Sequence, residues 1–179
     1  MFGDVTMRTI LIAAALGALA QPCLAATGPL SVAIKGPAGQ DIGSAMLTDS
    51  PRGVLMKLEL KDLPPGWHGL HFHEKGDCSS VDFKSAGAHV HGPAAAVHGL
   101  LNPAANEAGD LPNLHVGADG GGHAEVFSAW TSLGPVGDRL NLADMDGSAI
   151  VVHASADDHV SQPIGGAGAR LACGVIRPQ

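Results

Sequence analysis

The chain has little with which to hold a polyanion. Among its 179 residues Lys and Arg together number only 10, against 17 Asp and Glu, for a formal net charge of −7. No basic block matches a phosphate backbone, which argues against a nucleic-acid partner. Aromatic residues make up 3% and tyrosine is absent. The apolar run Thr9 to Ala20 is too short for a membrane span. Cysteines number three. No stretch beyond the first residues reads as a long helix, and neither an internal repeat nor a second domain is visible. Plentiful instead are glycine at 25, proline at 12 and histidine at 10, as many histidines as Lys plus Arg. That balance favours metal chemistry, since imidazole suits copper and zinc.

The first residues have the pattern of an export signal. Arg8 precedes the apolar run, and the small residues Ala25 and Ala26 follow Cys23-Leu24. Cleavage is expected after Ala25 or Ala26, leaving residues 1–25 as signal peptide and 26–179 as one domain. The start is open between Met1 and Met7, and Met7 is plausible because Asp4 sits poorly in a basic leader. Pro22 before Cys23 does not suit a lipoprotein signal. The leader carries one Arg and one Asp, so its removal leaves the net charge unchanged. It also removes Cys23. Cys78 and Cys173 remain, an even number in an exported chain, and an intramolecular disulfide is the natural expectation. By the chain-entropy model such a long loop is worth about 4–5 kcal/mol.

Short strands are expected at Leu30–Lys35, Ile42–Thr48, Val54–Leu60, Leu70–Glu74, Leu114–Gly117, Ala124–Trp130, Arg139–Leu142, Ser148–His153 and Arg170–Ile176. Turn signals such as Ser50-Pro51-Arg52-Gly53 and Asp119-Gly120-Gly121-Gly122 punctuate them. Asp62 to Gly66 breaks the alternation. Regularly spaced short strands with Gly and Pro turns point to an all-β fold, a Greek-key β-sandwich or flattened barrel. Two stretches lack periodicity, Lys75 to Asn113 and Ala154 to Ala169. Loops that long in a compact domain are usually functional. The first is rich in His and Asp, and metal ligands can order a loop that has no core of its own.

His71-Phe72-His73 is the most telling triplet. On a strand, side chains alternate faces, so the two imidazoles point one way and Phe72 points into the core. That is half of a transition-metal site. His89, His98, His153 and Asp110 are the further ligand types within reach of the argument.

The segment His68-Gly69-Leu70-His71-Phe72-His73-Glu74-Lys75-Gly76, with Cys78 after it, resembles the copper/zinc superoxide dismutases, in particular the exported bacterial branch. The likeness continues through Ala86-Gly87-Ala88-His89, Gly109-Asp110-Leu111-Pro112-Asn113, Ile150-Val151-Val152-His153 and the run Gly165 to Ile176 with Arg170 and Cys173. Together these cover nearly the whole chain after the leader, in the family's order.

The resemblance implies copper held by His71, His73, His89 and His153, with His89 bridging to zinc as an imidazolate. It implies His98 and Asp110 on zinc, Cys78 bonded to Cys173, and Asp157 as a carboxylate linking histidines of the two sites. Arg170 would dock an anionic substrate beside copper, and His89 would carry a catalytic proton. The implied activity is disproportionation of superoxide to oxygen and peroxide in the periplasm, by a monomer or homodimer. The alternative is a periplasmic copper-binding or copper-delivery protein on the same fold. Against it stands Arg170, for which a carrier has no evident need. A negative protein with an anionic substrate needs a local positive field, from copper, Arg170 and a lesser candidate, Lys75.

One position departs from the family pattern. Three residues before Asp110 the family has histidine, and here it is Glu107. Three outcomes stand open: Glu107 is the fourth zinc ligand, which its oxygen chemistry allows; His91 steps in; or zinc binds weakly or not at all. Glu107 is the favoured expectation. His68 is expected to be structural and hydrogen-bonded, His115 and His123 ordinary polar positions, and His159 a solvent-facing residue. The glycines of 165–170 are read as the turn that delivers Arg170.

Overall fold

Alternation of apolar and polar residues builds the first three strands, β1 (Leu30–Lys35), β2 (Asp41–Ser50) and β3 (Gly53–Leu60), into successive antiparallel hairpins. Along β3, Met56, Leu58 and Leu60 are buried while Lys57 and Glu59 face water. On that outer face Lys57 lies opposite Glu125 and pairs with it at 3.1 Å, an exposed contact of small energetic weight. The computed structural model describes residues 28–178, so the expected leader and its cleavage site lie outside the described residues. The remaining strands are β4 (Gly66–His68), β5 (Leu70–His73), β6 (Leu114–Val116), β7 (Gly122–Ser128), the short parallel pair β8 (Thr131–Ser132) and β9 (Leu140–Asn141), β10 (Ser148–His153) and β11 (Arg170–Ile176). No helix among the described residues is long and apolar enough to cross a membrane.

The main sheet has nine strands in the order β4-β6-β7-β3-β2-β1-β11-β10-β5. Its two end strands, β4 and β5, are consecutive in the chain and separated only by Gly69. A sheet whose opposite edges are one residue apart has to curl until they nearly meet, so the expected flattened barrel follows from connectivity alone. Gly69 makes the corner: its N–H donates to Ser155 O, and its carbonyl accepts from His153 N–H, each at 2.8 Å. A side chain there would press on Ala167. Asp62–Gly66 does break the alternation, and β4 starts at its last residue, a strand too short to leave a periodic trace.

The closed sheet has an inside and an outside, and the difference places the site. Leu70 and Phe72 of β5, with Ile150 and Val152 of β10, point into the main core. Their neighbours point outward, and the register sets His73 opposite Ala149 and His71 opposite Val151. The outward face is not left in water. Ala149 and Val151 are covered by Phe83, Ala86 and Cys173, so β10 is buried at all six of its positions. The cover is the loop 74–113, tied to β11 by the Cys78–Cys173 disulfide across 95 residues.

Candidate metal centre

Strand parity delivers the first histidines. His71 and His73 project from the outer face of β5, and His153 comes from the end of the adjacent β10. His89 arrives from the loop, which pairs with the strand through an isolated bridge between His73 and His89. Val90 N–H donates to Phe72 O at 2.9 Å, fixing the loop's depth. The donor atoms of His71, His73, His89 and His153 lie within 4.8 Å of one another, and all four residues are buried.

Their orientation carries more information than their proximity. His73 directs Nδ1 at Gly87 O (3.0 Å), His153 directs Nδ1 at Gly168 O (3.1 Å), and His71 directs Nε2 at Asp157 Oδ2 (2.8 Å). Each ring thus has its outward nitrogen anchored to an oxygen, which selects the tautomer with a bare inward nitrogen. The inward Nε2 atoms of His73 and His153 face each other at 3.4 Å. His71 Nδ1 and His89 Nε2 are buried with no hydrogen-bonding partner among the described residues. Buried polar atoms are normally satisfied. Two orphaned imidazole nitrogens aimed at one point fit a transition metal. Burial pushes the His71 pKa down to about 4 and the His153 pKa to about 3, and holds His73 well below the ordinary histidine range. Neutral rings are what a metal needs.

The other nitrogen of His89 opens onto a second group. His89 Nδ1 and His98 Nδ1 are each 2.9 Å from Asp110 Oδ1, and they lie 2.9 and 3.1 Å from Glu107 Oε2. Glu107 therefore stands inside the cluster with His89, His98 and Asp110. His91 does not: its Nδ1 is 2.6 Å from Gly92 O and its Nε2 is 3.9 Å from the Glu74 carboxylate. In this group burial works to lower the histidine pKa values, but Asp110 and Glu107 at His89, and Asp157 and Asp110 at His98, outweigh it and raise both. Burial likewise opposes ionisation of Asp110, yet the His89 contact and the Gly99 N–H hold its pKa below the usual range.

Asp157 joins the two groups. Its Oδ2 meets His71 Nε2 at 2.8 Å, and its Oδ1 meets His98 Nε2 at 3.1 Å. Its own placement is over-determined. Asn113 clamps its backbone with two 2.8 Å hydrogen bonds, one from Nδ2 to Asp157 O and one from Asp157 N–H to Oδ1. Gly165, in the left-handed region at φ +58°, lies directly against the carboxylate, and a Cβ there would overlap Oδ1. Neither partner was visible in the sequence as a site residue; a glycine after the histidine loop and an asparagine three residues past Asp110 were the only signals. The glycine run thus has two tasks, making room for Asp157 and turning toward Arg170.

A β-bulge aims that arginine. Val152 faces Ala172, but the register shifts between Val152 and His153, so His153 faces Arg170 rather than Leu171. The extra residue turns Arg170 to the metal-facing side of the sheet. Its Nη1 donates to Phe83 O at 2.6 Å and its Nη2 to Gly87 O at 2.7 Å. Gly87 O is also the acceptor facing His73, so one carbonyl positions both groups. Burial lowers the Arg170 pKa, and its charge helps depress those of His73 and His153.

Residues 42–176 match the model of the copper/zinc superoxide dismutases. The chain belongs to this family. A superoxide dismutase [Cu-Zn] of Caulobacter vibrioides is 62% identical over 144 residues, covering 80% of this chain and 83% of the relative. Among solved structures, a double mutant of a SOD-like protein from Bacillus subtilis superposes with a TM-score of 0.77 at 40% identity, covering 82% of this chain and 96% of that one. The Cu/Zn superoxide dismutase from Brucella abortus gives 0.66 at 29% identity, covering 83% and 99%. The chain is accordingly a superoxide dismutase with copper and zinc as its metals, and the copper-carrier alternative is not favoured.

Of the other histidines, His68 is structural as expected, with ring nitrogens 2.8 Å from His153 O and 2.7 Å from Pro64 O. His115 and His123 are exposed. His159 differs from expectation. Instead of facing solvent it is half-buried, 3.2 Å from Asn113 and 3.5 Å from Asp157, because its loop folds back over the clamp. Lys75 is exposed.

Proposed function

We propose that His71, His73, His89 and His153 hold copper, and that His89, His98, Glu107 and Asp110 hold zinc, with His89 shared. The observation that carries this reading is the pair of orphaned inward nitrogens, His71 Nδ1 and His89 Nε2, backed by outward nitrogens already bound to oxygen. Copper supplies one-electron exchange that zinc cannot.

The side chains do the rest. Arg170 is a cation with two of its nitrogens tied to loop carbonyls, so it meets the anionic substrate without having to be ordered first. Two superoxides become one oxygen and one peroxide, consuming two protons. His89 is the residue that stores one of them at Nε2, while Nδ1 stays on the zinc side, and water supplies the other. Asp157 keeps His71 and His98 in fixed tautomers through the cycle. Glu107 completes zinc as an oxygen ligand in place of a third imidazole, making that site more negative.

Residues 1–25 serve as a cleaved export signal in this reading, and 26–179 act in the periplasm, where the Cys78–Cys173 bond persists. Metal analysis paired with a superoxide consumption assay tests the assignment. The wild type is expected to carry both metals. Glu107→Ala is expected to lose zinc affinity by at least about tenfold while retaining copper. Unchanged zinc affinity removes Glu107 from the ligand set, and a mass spectrum of the secreted protein fixes the cleavage point.

A further inference from the structure

Glu107 and Asp110 have a second environment besides the histidines. Both line a cleft of about 460 Å³, walled on one side by Leu100 and Ala105 of the long loop and on the other by Trp130, Asp138 and Leu140 around β8 and β9. Trp130 and Asp138 are exposed at its rim. Only one oxygen of Glu107, Oε2, is engaged by the two histidines, and no described residue hydrogen-bonds to the other. The side chains of Glu107, Asp110 and His98 are all buried, Glu107 the least so at 5%, and His98 does not line the cleft. Of the mixed cluster, Glu107 and Asp110 line this volume among the described residues and His89 and His98 do not, and Arg170 takes no part in the lining.

We infer that this cleft is the entry route for zinc, separate from the Arg170 side on which substrate is met, with Asp138 drawing a hydrated divalent cation to the rim and Glu107 passing it inward. The inference rests on the reading of Glu107 and Asp110 as zinc ligands. A carboxylate suits the hand-over because it has two equivalent oxygens. One can take the ion on the cleft side while the other still faces the cluster, whereas an imidazole at that position has its second nitrogen on the far side of the ring. Entry through negatively charged groups also matches the charge of the cargo, and the arginine would repel it.

A route has a kinetic signature that a ligand does not. An obstacle in the path, away from the bound ion, changes uptake and release by the same factor and leaves the dissociation constant alone. The test uses the full secreted chain, copper-loaded and stripped of zinc, with zinc ion as the probe. Stopped-flow uptake and chelator-driven release are compared in wild type, Ala105→Phe and Asp138→Asn. Ala105 is exposed, lines the cleft and is not a member of the cluster, so a Phe there obstructs the path without replacing a ligand. Ala105→Phe is expected to slow uptake and release alike, by about tenfold, within the range over which association rates vary among related variants. Asp138→Asn is expected to slow uptake about threefold at low salt, with the difference vanishing at high salt as the charge is screened. Should Ala105→Phe not fold, the salt dependence of Asp138→Asn decides alone. Any other pattern, including unchanged rates or a changed dissociation constant in Ala105→Phe, overturns the route. The zinc affinity of Glu107→Ala, measured at equilibrium, separately tells whether the ligand assignment itself stands.

Discussion

The four-histidine cluster and the mixed cluster share His89 but are built by opposite means. The first takes His71, His73 and His153 from adjoining strands, and their rings are neutral because burial depresses their pKa values. The second is made entirely of loop residues between β5 and β6, and its histidines are pushed toward the charged form by Asp110, Glu107 and Asp157. The strand-borne cluster is preset by the barrel. The loop-borne cluster depends on its own charges, and on the metal, for its order. Perturbing the link between the two should therefore do the greatest harm.

That link is Asp157. Asp157→Asn replaces a two-sided acceptor with an amide that can serve only one histidine as acceptor, leaving His71 or His98 misoriented. Affinity is expected to fall about 10–100-fold, as for other groups that orient metal ligands, and more for zinc than for copper, because the strands keep His71 near its place. Gly165→Ala is expected to reproduce the effect, since its Cβ occupies the space of Oδ1 and its φ of +58° disfavours a side chain. Equilibrium metal titrations check both. Equal losses at the two sites would contradict the contrast between strand and loop.

The arginine gives a smaller effect. Arg170→Ala is expected to lower turnover about tenfold and to flatten its salt dependence, the lower end of what a focused field contributes, with both metals retained. Normal kinetics in a copper-replete variant would reject its docking role. Phe83 and Gly87 would then only anchor a structural arginine.

The contrast also accounts for what was legible in the chain. His71 and His73 declare themselves because period two is local, and Phe72 between them confirms the face by joining the main core. β1 is legible from its alternation, whereas β10 and β11 are apolar runs whose bounds match expectation because turn residues such as Asp146-Gly147 precede them. Three features do not follow from local pattern. β4 is too short to show a period, although it is one of the two end strands that the curl of the sheet brings nearly together. The bulge that turns Arg170 is a mismatch between two strands and has no signature within either one. Asn113 and Gly165 act on Asp157 across distances of 44 residues in one case and a loop fold in the other, so their roles exist only in three dimensions. Glu107 lay between: its position was readable by resemblance, but that a carboxylate reaches both His89 and His98 had to come from geometry.

The smallest expected effect separates the clusters by sign. In metal-free protein, His71 and His153 have folded pKa values of about 4 and about 3, below the ordinary 6.5. As pH falls through 6.5 the unfolded chain takes up protons that the fold refuses, so stability declines toward pH 4. His73 adds to the same slope. His89 and His98 are raised above 6.5, so the fold holds protons that the unfolded chain has released. Their contribution is present below pH 6.5 and is lost as pH rises through the folded values. Asp110 and Asp157 have folded pKa values held below the ordinary carboxylate range, so they alter stability only at still lower pH. The two clusters therefore impose opposite slopes on either side of pH 6.5, and melting temperature against pH should pass through a maximum near there. Adding zinc should abolish the decline on the alkaline side and steepen the acid limb, because the ion replaces the protons of His89 and His98 in the fold while the unfolded chain still takes them up below pH 6.5. An alkaline decline that persists at saturating zinc would mean that His89 and His98 keep their protons and do not hold the ion, and the zinc assignment would fall.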